Sequence, residues 1–339
     1  MARRRSRPSC VVRFLAALGV LTLWGLVVLL VAWNVGRIYP GDRWLPVRVG
    51  SYFAPWQMVA AVIGFVVALI GRKAWLARVL GVLCLVFVAR YWPVLVPHLG
   101  DSQVVAETPA SRLRVLTFNV HHSNDDPAGV AAMVRAASPD VAVFQEFTQK
   151  VANRLLPALA ADYPYVLLDD ADWPRLGMVS RYPLSPAEPP PGAWRTQRAL
   201  VSTPTGAVWV WNVHSSSSVA QRGWEIQRET FRAILGQVEG ESGPVIVLGD
   251  FNTTDQAENY GLLARRLTDV HRAVGWGFGF TFPGEWRDED GLRLPVAFPL
   301  LRIDYVFVND AWIPEEIRVI PVGPGSDHLP VVATLRLAS

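Results

Sequence analysis

The sequence predicts a chain in two parts: about three membrane-spanning helices, followed by an α/β domain of two packed sheets. Three long apolar runs lie within the first 100 of the 339 residues. Strand-like and helix-like patterns alternate from about residue 112 onwards, and several neighbouring strands have no helix between them, which is typical of a two-sheet sandwich. The charge is also divided: residues 1–100 hold 12 basic residues and one acidic residue, whereas residues 101–339 hold 20 basic and 28 acidic residues.

The first apolar run, about 14–33, contains no charged residue and is long enough to cross a bilayer. Arginines precede it, which also fits a secretory signal peptide, but the run is long and no small-x-small cleavage site follows it. Two further apolar runs, about 52–70 and 75–96, favour helices that stay in the membrane. We therefore expect a membrane region over 1–100 with about three transmembrane helices.

Basic residues in the short loops indicate how these helices are oriented. The N-terminus is strongly basic, and Arg72, Lys73 and Arg78 make the loop before the third helix basic. Both are then cytoplasmic, and three spans place the following domain on the extracytoplasmic side. The loop after the first helix, which has three arginines and one aspartate, opposes this assignment. The expected location is the cell membrane, in a multi-pass arrangement.

Residues 101–111 are interpreted as a linker, and a single domain is expected over 112–339. Predicted strands are 112–120, 140–145, 177–180, 199–203, 207–213, 245–248, 303–308, 317–320 and 331–337. Predicted helices are 127–137, 148–161, 219–238 and a shorter one near 255–265. This order of strands and helices underlies the prediction of two sheets.

Polar side chains recur where these apolar strand segments begin or end. They are Asn119, Glu146, His214, Asp250, Asn252, Asp304, Asp327 and His328. Each alone has an ordinary interpretation as a turn residue, a helix cap or a buried core histidine. Their recurrence at so many strand ends favours a shared site at one rim of the sheets.

The available donor atoms limit which metal such a site can hold. Both cysteines, Cys10 and Cys84, lie in the membrane region, so any metal in the domain is held by oxygen or imidazole. Such donors point to a hard cation such as Mg²⁺ or Mn²⁺. His121 and His122 follow Asn119 directly and either extend the site or only line its loop. The net charge of −8 on residues 101–339 gives no indication of nucleic-acid binding.

Seven short segments together resemble the endonuclease/exonuclease/phosphatase superfamily. They are Leu-Thr-Phe-Asn119, Phe-Gln-Glu146, Ser180-Arg-Tyr-Pro-Leu, Asn-Val-His214, Gly-Asp250-Phe-Asn252, Arg-Ile-Asp304-Tyr-Val-Phe and Ser-Asp327-His328. The resemblance covers about 112–337 in the family's order and does not include residues 1–100. It implies a four-layered, DNase I-like α/β sandwich with its site at the rim of the two sheets.

The resemblance also implies a hydrolase that cleaves phosphate esters with Mg²⁺ or Mn²⁺. Glu146 would be the main metal ligand, and Asn119 and Asp327 would share the metal region. Asp250 would orient or deprotonate the attacking water. These roles answer the demands of the reaction, since an anionic phosphodiester repels hydroxide unless its charge is neutralised.

The remaining implied roles concern the phosphate group. Asn252 would donate hydrogen bonds to a phosphoryl oxygen, and Arg198 resembles an arginine that many members place near the phosphate. His328 would pair with Asp304, and His214 would contact the phosphate or protonate the leaving oxygen. The serines at 215–218 depart from the family, many members of which have a threonine-histidine pair and a proline there.

The expected function is therefore a membrane-anchored, divalent-metal-dependent phosphoesterase. Its substrate would be a phosphodiester in nucleic acid or in a phospholipid headgroup, and the lipid bilayer would be its partner through the N-terminal helices. Tethering at a bilayer raises the effective concentration of a lipid substrate. The alternative is a non-catalytic, membrane-tethered module that binds a phosphorylated ligand or a protein partner.

Overall fold

The computed structural model describes residues 9–97, 112–169, 175–284, 286–287, 293–294 and 298–338. The predicted linker at 101–111 lies outside these described residues. The chain divides into two compact units, Met1–Trp92 and Pro93–Ser339.

Four α-helices make up most of the N-terminal part. They are α1 (Cys10–Gly36), α2 (Leu45–Tyr52), α3 (Ala54–Ile70) and α4 (Ala74–Leu95). The segments Arg13–Gly36 and Ala74–Leu95 are long and apolar enough to cross a membrane. Helices α2 and α3 meet at a 79° bend and make a third candidate if they form one span. The described residues thus include two, or up to three, helices of membrane-spanning length and composition.

Side-chain contacts hold these helices together where their apolar surfaces meet. The Trp33 indole of α1 donates a hydrogen bond to the Val47 carbonyl oxygen of α2 at 3.1 Å. The same ring stacks on Phe87 of α4 with centroids 6.1 Å apart. Other apolar side chains point outwards, including Phe14 and Leu85, which are 68% and 69% exposed. Large exposed apolar surfaces of this kind mark sites of contact with a membrane or another protein.

The C-terminal unit contains two six-stranded sheets. The first has the order β13-β14-β1-β2-β4-β3, and the second has the order β5-β6-β7-β8-β12-β9. The strands of the first sheet are β1 (Arg112–Asn119), β2 (Val141–Gln145), β3 (Tyr165–Leu168), β4 (Gly177–Ser180), β13 (Trp312–Val319) and β14 (Val331–Leu337). Those of the second are β5 (Leu184–Ala187), β6 (Thr196–Thr203), β7 (Gly206–His214), β8 (Val245–Asp250), β9 (Thr268–Asp269) and β12 (Asp304–Val308). A separate hairpin pairs β10 (Trp286–Arg287) with β11 (Arg293–Leu294).

Within the part of this unit that the structure describes there are five α-helices: α5 (Pro127–Ala137), α6 (Gln149–Leu159), α7 (Gln221–Val238), α8 (Glu258–Leu263) and α9 (Val270–Val274). Apolar residues of both sheets, such as Val143 and Leu248, form one core between the sheets. The outer face of the first sheet packs on α5 and α6, and that of the second packs on α7 and α8. This helix–sheet–sheet–helix order confirms the predicted four-layered sandwich.

The strands that the sequence did not predict lie mainly at sheet edges. Strand β3 ends the first sheet and β5 ends the second. Predicted strand 317–320 is the last part of the longer edge strand β13, which contains Pro314 and a bulge. Edge strands are short, partly exposed and tolerant of proline, so their apolar alternation is weak in the sequence.

The strand directions bring the predicted polar residues to one end of the sandwich. Strands β1 and β2 are parallel, as are β7 and β8, so their carboxyl ends lie on the same side. Strands β12 and β14 run antiparallel to β8 and β1 and therefore begin at that end. Asp304, the first residue of β12, is the register partner of Asp250, the last residue of β8.

Candidate active site

Asp250 lies at the centre of a polar cluster at this rim. Its Oδ2 atom accepts a hydrogen bond from Asn119 Nδ2 at 3.1 Å, which links the two sheets. The same atom lies 3.7 Å from His214 Nε2 and 3.8 Å from His328 Nε2. Burial raises the pKa of the Asp250 carboxyl to about 7, even though the charge of His328 opposes this shift. A group with such a pKa is suited to accept a proton near neutral pH.

The backbone around Asp250 is shaped by Gly249 and Asn252. Gly249 has φ of 148°, and a Cβ atom there would lie 2.0 Å from the Val213 carbonyl oxygen, so only glycine allows β7 and β8 to pair at their ends. The backbone N–H of Asn252 donates to Asp250 Oδ1 at 2.9 Å. The side-chain nitrogen Nδ2 of Asn252 donates to Asp250 Oδ2 at 3.1 Å and to the Ser215 carbonyl oxygen at 3.0 Å. In this arrangement Asn252 holds Asp250 in place.

Glu146 follows β2 in a left-handed backbone conformation, with φ of 53°. Its Oε1 atom accepts a hydrogen bond from Asn119 Nδ2 at 3.3 Å, and its Oε2 atom accepts one from the His122 backbone N–H at 3.0 Å. Burial raises the pKa of this carboxyl, but the attraction of His214 and hydrogen bonds from His122 and Asn119 outweigh it and lower the pKa to about 2. Glu146 is therefore an ionised carboxylate, which suits a divalent cation.

The other two predicted metal ligands are placed differently. Asn119 contacts Glu146 and Asp250 through its amide nitrogen, and its amide oxygen accepts a hydrogen bond from the His121 N–H at 3.0 Å. Asp327 is half-buried, and it is absent from both clusters of acidic and imidazole ligand atoms found within 4.8 Å of one another in the described residues. Those clusters are His121 with His122 and Glu146, and Asp250 with Asp304 and His328. The donors at Glu146 fit a metal ion, whereas the role of Asp327 stays a prediction.

His328 and Asp304 form a buried pair next to Asp250. His328 Nδ1 lies 3.0 Å from Asp304 Oδ2. Burial disfavours the charged imidazolium, but the charges of Asp304 and Asp250 and the hydrogen bond to Asp304 outweigh it and raise the pKa of His328 to about 10. His328 therefore carries a proton at neutral pH, as an opposite charge within hydrogen-bond distance requires.

The ¹⁵N spectrum of the histidine rings is expected to show His328 doubly protonated at pH 8. Asp304→Asn removes the charge that favours the imidazolium, so the titration midpoint of His328 is expected to fall. His271 is an internal reference, because burial lowers its pKa to about 4 and keeps it neutral. A neutral His328 ring in the unsubstituted protein at pH 7 would contradict this assignment.

His214 is the second imidazole of the cluster, but it is in the neutral form. Burial, together with the charges of Arg195 and His328, outweighs the attraction of Glu146 and lowers the pKa of His214 to about 4. At pH 7 this ring is uncharged, and the hydrogen bonds from His122 and Asn119 are the remaining causes that lower the pKa of Glu146. A neutral ring has no extra proton to give, so His328 is the better proton donor to a leaving oxygen.

The structure does not bring Arg198 to the rim. Its register partner in β7 is Trp211, and both side chains belong to the outer face of the second sheet, where the Arg198 guanidinium lies 5.2 Å from the Trp211 ring. Arg198 pairs there with Glu241, and the two side chains are only 12% and 4% exposed. Because side chains alternate across a strand, Gln197 rather than Arg198 shares the inner face with Asn212. The predicted phosphate contact of Arg198 is thus corrected to a structural ion pair.

Arg198→Gln is expected to destabilise the domain and leave turnover per folded molecule unchanged. Removing one member of a buried ion pair costs about 3–5 kcal/mol, since the remaining charge of Glu241 stays buried. Thermal unfolding measures the first effect, and kcat and KM at a temperature where the variant is folded measure the second. An unchanged melting temperature with a large loss of kcat would indicate that Arg198 acts in the active site.

The sequence analysis did not identify two residues that lie near the rim. Arg195 is exposed, its carbonyl oxygen accepts a hydrogen bond from the His214 N–H at 3.0 Å, and its charge acts on the His214 ring. Ser326 donates from Oγ to the Asn119 carbonyl oxygen at 2.6 Å and accepts from the His328 N–H at 3.0 Å. Arg195 precedes β6 by one residue and carries no motif. Ser326 adjoins the Asp327-His328 segment and could have been included as its local support.

Comparison with protein families identifies a match to the Endonuclease/Exonuclease/phosphatase family over residues 116–328. This range contains every polar residue of the rim cluster. No curated protein matches the chain.

Several solved structures share this fold. An endonuclease/exonuclease/phosphatase from Beutenbergia cavernae is 26% identical, with a TM-score of 0.52 over 68% of this chain and 72% of that one. A humanized Danio rerio TDP2 is 19% identical, with a TM-score of 0.54 over 67% of this chain and 99% of that one. The 3′ phosphatase NExo from Neisseria, bound to a product DNA hairpin, is 20% identical, with a TM-score of 0.53 over 67% of this chain and 100% of that one. The last two show likeness of fold alone.

Proposed function

Because the chain belongs to the Endonuclease/Exonuclease/phosphatase family, we propose that it is a membrane-anchored, divalent-cation-dependent phosphodiesterase. Family membership makes the chain a hydrolase of phosphoester bonds; the phosphodiester substrate, the cation and the anchoring are the proposed part. The observation that carries the proposal is the position of the Asp250 carboxylate between His214 and His328, at 3.7 and 3.8 Å. When these groups face the same small space, the carboxylate can accept a proton from the attacking water and the protonated imidazole can donate one to the leaving oxygen. The neutral imidazole can donate a hydrogen bond to the phosphoryl group.

Asp250 is proposed to orient the attacking water and take its proton. Its carboxylate is fixed by hydrogen bonds from Asn119 and Asn252 on two sides. Because the pKa of Asp250 is raised to about 7, the carboxylate is a stronger base than an ordinary aspartate. The carboxylate is thus both positioned and chemically suited to deprotonate water near neutral pH.

His328 is proposed to stabilise the negative charge on the phosphoryl group and to give its proton to the leaving oxygen. The Asp304 hydrogen bond occupies Nδ1, so Nε2 is the atom turned towards Asp250 and the reacting group. His214 would contribute a neutral hydrogen bond to a phosphoryl oxygen. Arg195, whose charge acts on His214, is the exposed cation that we assign to the incoming phosphate in place of Arg198.

Glu146 is proposed to hold the divalent cation, with Asn119, whose side chain contacts the same carboxylate, as its neighbour. When bound, the cation would neutralise phosphoryl oxygens and lower the cost of nucleophilic attack. The ionised carboxylate of Glu146 lies 3.8 Å from His214 Nε2, so the cation ligand and the phosphate-contacting imidazole share one rim. Mg²⁺ or Mn²⁺ are the ions proposed here, because the ligand is an ionised carboxylate.

The N-terminal helices are proposed to anchor the domain in the cell membrane and leave it on the extracytoplasmic side. The support is the set of two or three helices of membrane-spanning length, together with the basic N-terminus. An alkaline phosphatase reporter fused after Ser339 is expected to be active, because this reporter works only outside the cytoplasm. A reporter that is active only in the cytosol would contradict the orientation.

The proposed activity is tested with the full chain in detergent micelles or lipid nanodiscs. It is assayed against plasmid DNA, RNA, sphingomyelin, phosphatidylinositol phosphates and a generic aryl phosphodiester, with Mg²⁺, Mn²⁺ or EDTA. Turnover that EDTA abolishes and added cation restores is the expected result. Turnover that is equal with and without EDTA would exclude the proposed cation. The absence of turnover on every substrate would exclude phosphodiester hydrolysis.

A further inference from the structure

Two histidines lie on the side of Glu146 that faces away from Asp250, and the proposed hydrolysis does not use them. One ring nitrogen of each of His121 and His122 and a carboxylate oxygen of Glu146 lie within 4.8 Å of one another. His122 Nδ1 is 2.9 Å from Glu146 Oε2, and the two imidazole rings have centroids 4.3 Å apart. The loop after β1 thus places two nitrogen donors beside the carboxylate that follows β2.

The backbone is specifically bent to make this arrangement. His121 has φ of 61° and Glu146 has φ of 53°, so two non-glycine residues in the same cluster adopt the left-handed conformation. The His121 N–H donates to Asn119 Oδ1 at 3.0 Å, which turns the chain directly after β1. Such strained conformations persist only where the surrounding structure holds them, and they concentrate at functional sites.

The polar neighbours of the cluster are those that a metal site needs. The Ser123 hydroxyl lies 2.9 Å from His121 Nδ1. Metal-binding histidines commonly have one ring nitrogen oriented by a polar neighbour, while the other binds the metal. The His122 N–H donates to Glu146 Oε2 at 3.0 Å and fixes the carboxylate that would be the third ligand. The His122 side chain is 47% exposed, so its ring has room to rotate towards an ion.

The two carboxylate oxygens of Glu146 face different surroundings. Oε1 contacts Asn119 Nδ2 at 3.3 Å and faces His214 and the rim cluster. Oε2 faces His122. On the Oε1 side the Asp250 carboxylate accepts from the same Asn119 nitrogen, so a second hard oxygen donor, which suits Mg²⁺, lies near Oε1. The Oε2 side offers two imidazoles, which suit zinc, cobalt and other nitrogen-preferring transition metals.

We propose that His121, His122 and Glu146 form a second, nitrogen-rich site for a divalent transition metal of the Zn²⁺ and Co²⁺ class. This second site rests on the proposed function only because Glu146 is a ligand in both sites. Glu146 would then contribute a ligand oxygen to both sites, to this one on the side of His122 and to the hydrolytic rim on the side of Asn119. The protein would then bind one transition metal in the presence of saturating Mg²⁺.

The test measures metal binding without any substrate. The full chain in detergent is freed of metal, supplied with saturating Mg²⁺ and titrated with Co²⁺ and then Zn²⁺. Calorimetry gives the affinity, the visible absorption of Co²⁺ reports nitrogen ligation, and elemental analysis after dialysis gives the stoichiometry. One Zn²⁺ or Co²⁺ per chain is expected, with a Co²⁺ absorption that reports imidazole ligands.

Substitutions of the two histidines distinguish the loss of a metal ligand from the loss of folding. His122→Gln and the double variant with His121→Gln are expected to weaken Zn²⁺ and Co²⁺ binding by at least about 10–100-fold, since even the loss of a group that supports a ligand has an effect of that size. His122→Cys keeps a metal-binding side chain and is expected to retain Zn²⁺. The melting temperature of each metal-free variant shows whether it is folded.

Unchanged Zn²⁺ and Co²⁺ affinity in the folded double variant would overturn the proposal, as would an unsubstituted protein that binds no transition metal in saturating Mg²⁺. The two proposals fail separately, because binding is measured without turnover. Loss of Zn²⁺ binding in the variants of a protein that hydrolyses no phosphodiester would retain the metal site and reject the phosphodiesterase.

Discussion

Asp250→Asn is expected to lower kcat by a factor of roughly 10²–10⁴, the usual contribution of a positioned general base. Asparagine has nearly the same shape and keeps an oxygen that can accept from the Asn252 N–H, which is 2.9 Å from Oδ1 in the unsubstituted protein. It cannot accept a proton from water. The loss is therefore expected in kcat, with a much smaller change in KM.

The matched control for this substitution is Asp310→Asn. Asp310 is exposed and lies two residues after the last residue of β12, beyond the opposite end of that strand from Asp304. It is expected to leave kcat unchanged. If Asp250→Asn retained kcat within about threefold while remaining folded, Asp250 would not be the base.

Glu146→Gln is expected to raise the Mg²⁺ or Mn²⁺ concentration for half-maximal activity more than roughly 10-fold and to lower kcat/KM steeply at limiting cation. The reason is the loss of the ionised carboxylate, since hard divalent cations depend on charged oxygen ligands. Measuring kcat/KM over a range of cation concentrations separates a weakened metal site from a damaged fold. Only a weakened site is restored by more cation.

Glu225→Gln serves as the control for this second substitution. Glu225 is an exposed glutamate on α7, where it accepts a hydrogen bond from Gln221 at 2.7 Å. Its replacement removes the same charge from the same domain and is expected to leave the cation dependence unchanged. Equal cation dependence in Glu146→Gln and Glu225→Gln would exclude Glu146 as a ligand.

The sequence predicted the main strands and the residues of the rim because both depend on local patterns. Apolar segments such as 245–248 are fully buried, and the polar residue that ends each of them is placed by strand direction alone. Asp250 and Asp304 were therefore recognisable before their register pairing was known. Edge strands such as β3 lack this continuous burial, and their sequence did not distinguish them from loops.

The site residues that sequence reasoning misplaced depend on side-chain orientation. Arg195 and Arg198 are three residues apart, and strand alternation sends Arg198 to the outer face with Trp211. A shift of the strand by one residue would have placed Arg198 on the inner face, and the local sequence does not show which register the strand adopts. His121 and His122 were ambiguous for a similar reason, because the left-handed φ of His121 that brings the rings together is a property of the folded turn.

The charge states at the rim also required the structure. The pKa values of His214 and His328 move in opposite directions although both follow or precede buried strands. The difference arises because Asp304 forms a hydrogen bond with His328, whereas His214 Nδ1 has no hydrogen-bond partner among the described residues. The family resemblance implied the pairing of His328 with Asp304 but not the burial that keeps His214 neutral, and this burial decides which imidazole is the acid.

We propose that phosphodiester hydrolysis takes place at the rim around Asp250. A crystal structure of the full chain with Mn²⁺ and inorganic phosphate, using the anomalous signal of manganese, tests this location. We expect a manganese peak about 2.1 Å from a Glu146 carboxylate oxygen, within the usual range for such ligands. We also expect phosphate in contact with His214 and His328. Manganese and phosphate bound together elsewhere in the domain, with neither at this rim, would contradict this location.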